Sequence, residues 1–165
     1  MENKFNSQIC TTRLQSEALL KLGLKKETAD MVWTHAYYGT WVATASENPL
    51  YEESDSVPAW SLGRLIEMLP SLIKISELDL PTFHHYAYLD LSQVSVAYTW
   101  EDYDCCDRQL AGFYGNGLFA AVVDAIEWLI KEGYFPKEYL VDQEALEERC
   151  KGVLEYLDYI RGEEE

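Results

Sequence analysis

The run "GLFAAVVDAIEWLIKEG", residues 117–133, restricts what this chain can fold into more than any other stretch. It is apolar nearly all round except at Asp124, Glu127 and Lys131, which follow one another at spacings that make a single narrow stripe on a helix. Such a helix has to be covered over most of its surface, so we expect it at the centre of the fold. Gly133 is placed to end it in a left-handed turn. Interrupted by two carboxylates, the run is also too short to cross a bilayer, and no membrane association is expected.

The chain around that helix has 165 residues, of which 48% are hydrophobic and 13% aromatic, far from the composition of disordered chains. One domain spanning 1–165 should bury roughly two-thirds of the surface of the unfolded chain. The terminal "RGEEE", from about 161, should fray. No internal repeat or long linker divides the sequence.

Local patterns supply the remaining elements. Thr12 followed by Gln15 is a reciprocal cap for a helix over 13–22, with Gly23 closing it. "LKKETADMVW" reads as a second short helix, which would make a helical hairpin with the first. Residues 37–57 lose helical spacing and read as a short extended segment and a loop. In "PAWSLGRLIEMLP", Ser61 can cap a helix, Trp60 can pack on Leu65, and Pro70 stops the run. The alternation of Val94, Val96, Tyr98 and Trp100 within a Tyr- and Val-rich stretch predicts two antiparallel strands joined near Ser92–Gln93. Pro136 is placed to open a further helix. Finally, Leu146, Cys150, Val153, Leu154, Leu157 and Ile160 share one face of a terminal helix. The fold class expected is α+β, with about five or six helices on a small antiparallel sheet.

Charge excludes several functions. With 13 basic and 29 acidic residues the net charge is −16, a field that repels phosphate backbones and anionic membranes. Direct nucleic-acid binding is not expected, whereas a basic protein is a suitable partner. The N-terminal "MENKFNSQIC" lacks the apolar segment of a secretory signal, so a cytoplasmic location and reduced cysteines are expected.

The stretch "EDYDCCDRQ", near the histidine pair His84–His85, poses the question of a metal or redox site. Adjacent residues of a strand point to opposite faces, so neither His84 with His85 nor Cys105 with Cys106 supplies two ligands on one side. A structural zinc site needs four ligands, and His35, Cys10 and Cys150 are remote in sequence. A calcium loop starting at Asp102 would lack its glycine and place Phe113 where a bidentate Glu belongs. The vicinal cysteines lack the spacing of thiol oxidoreductases. "FYGNGLF" has neither a full dinucleotide fingerprint nor a Walker lysine, and Asn116 reads as a helix cap. No hydrolase elbow accompanies the three histidines. We therefore expect no metal and no cofactor.

Three blocks, "LLKLGLKKETADMVW", "PAWSLGRLIEMLP" and "DAIEWLIKEGYFPKEYL", resemble an uncharacterised family of small acidic proteins from phages and mobile elements of gut anaerobic bacteria. The resemblance implies an accessory protein and brings no catalytic residue with it. Two functions are carried forward. The first is a non-enzymatic interaction protein that binds a basic host protein through the aromatic residues Trp33, Tyr37, Tyr38 and Trp41 and the acidic residues Glu52, Glu53 and Asp55. The second is an enzyme acting on a small cationic or metal-bound substrate through Asp102, Asp104 and Asp107.

Overall fold

The computed structural model describes residues 8–35, 39–45, 56–75, 85–115 and 117–142. The expected terminal helix, the fraying tail, Cys150, His84 and Asn116 lie outside the described residues.

The first helix, α1 (Arg13–Lys21), begins as its residues demand: the Thr12 hydroxyl accepts from the Gln15 amide and the Gln15 side chain accepts from the Thr12 amide. Its end closes on Gly23 at φ 93°, and the Leu24 amide donates back to the Leu19 carbonyl at 3.0 Å. Both leucines are buried.

No second helix follows. "KKETADMVW" makes a single 3-10 turn at Lys26–Thr28 and then the strand β1 (Met31–His35). Long-range partners override local helical spacing here. The Lys25 amide donates to the Tyr139 carbonyl, and β1 is paired on both sides, with β2 (Trp41–Ala45) and β3 (Val57–Ala59), all antiparallel. The sheet order is β2-β1-β3, which leaves Pro58 on an edge strand, where a missing amide is tolerated.

Helix α2 (Leu62–Glu67) starts on Ser61, whose hydroxyl accepts from the Arg64 amide and donates to the Asp30 carboxylate. Trp60 and Leu65, flanking that cap, are both fully buried. After Pro70 the chain enters a second antiparallel sheet in the order β4 (Leu72–Lys74), β5 (Tyr86–Leu91), β6 (Ser95–Glu101), β7 (Asp107–Tyr114). The β5–β6 hairpin turns at Ser92–Val94, as the alternation predicted, with Ser92 accepting from the Ser95 amide.

The central helix α3 (Leu118–Lys131) buries Phe119, Val122, Val123, Ile126 and Leu129 and shows Asp124 and Lys131 to solvent. It lies on the inner face of the second sheet, made by Val96, Tyr98 and Trp100 of β6 and by Phe113 of β7. One continuous core joins Leu19, Trp60, Leu65, Ile73, Tyr98 and Ile126. Pro136 precedes a 3-10 turn at Lys137–Tyr139 and no longer helix. Among the described residues no helix is long and apolar enough to cross a membrane.

The expectation of five or six helices on a small sheet is thus corrected. Among the described residues there are three α-helices and seven strands in two antiparallel sheets. Helical spacing was read into segments whose backbone hydrogen bonds are made across the fold, and three-residue strands carry too little alternation to be seen.

Candidate functional site

The acidic turn between β6 and β7 is built around Asp102. One carboxylate oxygen accepts from the backbone amides of Asp104 and Cys106 at 2.9 and 3.0 Å, and the other accepts from Arg108 Nε at 2.7 Å. The bonds from the Cys106 amide and the Arg108 guanidinium hold its carboxyl below the usual carboxylate range, and the Asp104 amide adds to them. The side chain is nearly buried and accepts three bonds from the turn and the start of β7, and the turn carries Cys105 in the left-handed region at φ 56°. Asp104 and Asp107 are exposed and make no such constellation with it. Of the three carboxylates weighed as an enzyme site, Asp102 is enclosed by the turn and Asp104 and Asp107 are exposed.

The cysteines have ordinary surroundings. The Glu101 carboxylate beside Cys105 pushes its thiol up, and Asp102 adds to the effect. Cys106 is exposed beside it. Cys10 is buried, and burial followed by the Asp30 carboxylate pushes its thiol up as well. Among the described residues no group of three or more His, Cys, Asp or Glu side chains is placed to hold a metal ion.

Of the aromatic residues expected at a contact surface, Trp33 and Trp41 make contacts within the chain. Trp33 is half-buried and its indole donates to the Thr11 carbonyl at 2.8 Å. The Arg13 guanidinium lies 4.1 Å from the centre of the Trp41 ring, and the His35 ring stands 4.0 Å from it. Tyr37, Tyr38, Glu52, Glu53 and Asp55 lie outside the described residues. Thr34, which alternates with Trp33 and so faces the other side of this first sheet, is buried.

Exposed apolar surface lies elsewhere. Among the described residues every large exposed hydrophobic side chain except Ile9 and Leu14 belongs to the second sheet or its turns: Leu72, Tyr86, Tyr88, Leu91, Val94, Tyr103 and Tyr114. Strand alternation puts Leu72, Tyr86, Tyr88 and Tyr114 on the face opposite α3. The register sets Leu72 beside Tyr88, Tyr88 beside Thr99 and Thr99 beside Gln109, a band across all four strands.

Asp90 shares this face, and so do Glu101 and Asp107, which are paired directly across β6 and β7. Like charges so placed repel. A register shift at Tyr98–Thr99 leaves Leu110 as an extra residue in β7. In consequence Gln109 and Gly112, three apart, both face outward. The Gln109 side chain lies over Gly112, where a Cβ would meet its Nε2 at 1.7 Å, and its Oε1 accepts from the Tyr114 hydroxyl at 3.1 Å.

The signal for this face was present in "HYAYLDL", where Tyr86, Tyr88 and Asp90 alternate with Ala87 and Leu89. It reads as a two-sided strand only once the Ala87 side is known to face the core. No family model, curated protein or solved structure matches the chain.

Proposed function

We propose that this is a non-enzymatic interaction protein that binds a basic partner protein in the cytoplasm, as an accessory protein of a mobile element. The observation that carries this reading is the net charge of −16 on a chain that sets exposed tyrosines and carboxylates together on one sheet face. A field of that sign draws a basic protein in from solution and repels nucleic acid. The resemblance of three sequence blocks to small acidic phage and mobile-element proteins supports the accessory role. The enzymatic alternative loses support because Asp102, the most enclosed of its three carboxylates, is committed to the β6–β7 turn.

Immobilised protein exposed to a bacterial host lysate at low salt should retain a basic protein that leaves as salt rises. After purification that protein should rebind, with an association rate that falls steeply with salt because exposed charges are screened beyond about 8 Å at physiological ionic strength. DNA and RNA should not be retarded. Retention of no basic protein at low salt, or capture indifferent to salt, contradicts the reading.

A further inference from the structure

The outer face of the second sheet combines two features that are seldom useful to the same ligand. Tyr86, Tyr88 and Tyr114 expose between 44% and 68% of their surface, and flat phenol rings on a rigid sheet offer stacking faces at little entropic cost. Between and beside them lie Asp90, Glu101 and Asp107. Among the described residues of this sheet and its turns, Asp102 and Arg108 pair with each other, and Asp90 and Asp107 are the exposed carboxylates of the outer face. A purely apolar partner would leave these carboxylates desolvated and unpaired. An ammonium group would satisfy them but gain less from the rings than a guanidinium, which is planar, weakly hydrated, stacks on aromatic faces and spans two carboxylates with its fork.

We infer that this face is the docking surface for an extended, arginine-bearing segment of the partner protein, with guanidinium groups seated between the tyrosines and the carboxylates. The inference rests on the proposed basic partner and adds the surface and the kind of side chain it selects.

The test uses the full chain and two synthetic peptides of equal length and charge, one an arginine–serine repeat and the other a lysine–serine repeat, titrated calorimetrically at low salt. The arginine peptide should bind roughly tenfold more tightly, as expected for two exposed guanidinium–ring contacts. In the Tyr86→Ser/Tyr114→Ser variant that ratio should fall toward one, with the lysine peptide's affinity retained. In Asp90→Asn/Asp107→Asn both affinities should drop and the salt dependence should flatten. Thermal melts check that each variant is folded. Should one not be, shift mapping of the arginine peptide on the parent protein replaces it, and signals from the outer face must move. Equal affinity for the two peptides, a ratio untouched by the tyrosine changes, or shifts confined to another surface overturns this assignment and leaves a basic partner possible. Failure of both peptides to bind at low salt removes the basic-partner reading too.

Discussion

The two sheets make an instructive contrast. Both are antiparallel, both contain aromatic residues at alternate positions, and they are joined through α2. In the first sheet the tryptophans are consumed internally: Trp33 is tied to Thr11 and Trp41 is held by Arg13 and His35. In the second, α3 packs on one face across β6 and β7, and the other face keeps its tyrosines exposed beside carboxylates. Aromatic density in a sequence therefore does not locate a contact surface. What decides is which face an apolar helix has already claimed.

The sharpest way to break this contrast is at the joint. Leu65 of α2 is fully buried in the core that also holds Tyr98 of the second sheet and Ile126 of α3, and Leu65→Ala should cost about 2–5 kcal/mol in denaturant melts. A variant within error of the parent would mean that α2 is not packed into that core.

A second effect separates the turn from the face. Asp102 has a carboxyl held below its ordinary value of 3.8, so its contribution is fully present above that value. It is lost as pH falls through the lower, folded one. Asp102→Asn should be less stable than the parent at neutral pH, and the gap should narrow on acidification. A gap that stays constant down to pH 3 or so would show that the carboxylate charge is not what organises the turn.

Trp33→Phe in the first sheet removes the bond to the Thr11 carbonyl and should cost about 0.5–1.5 kcal/mol by the same melts. The smallest effect belongs to the outer face. Tyr86→Ser or Tyr114→Ser should shift stability by no more than about 0.5 kcal/mol, because exposed side chains away from the core are nearly neutral. A large loss there would mean that these tyrosines are structural, and the distinction between the sheets would fail.

Much of the scaffold was legible where the cause is local. The Thr12–Gln15 cap, the Ser61 cap, the apolar circumference of α3 and the β5–β6 alternation each depend on residues within one or two turns of each other. Illegible were the elements whose hydrogen bonds are made far away. Met31–His35 becomes a strand because two other strands flank it, and Leu72–Lys74 is too short to show a period. In Asp107–Tyr114 the bulge at Leu110 breaks the alternation, so "DRQLAGFY" does not read as the edge strand it is. The candidate surface was missed for the same reason. Its tyrosines were visible in the sequence, but their exposure depends on α3 lying on the opposite face.

The central claim is that the outer face of the second sheet, and not the aromatic cluster of the first, meets a basic partner. Backbone amide shifts of the labelled protein, followed as the arginine peptide is added, test it most directly. The account predicts that signals from Tyr86–Asp90, Glu101 and Asp107–Tyr114 move together with one affinity while those of Trp33 and Trp41 stay in place. Movement centred on Trp33, His35 and Trp41 with a silent second sheet would contradict it.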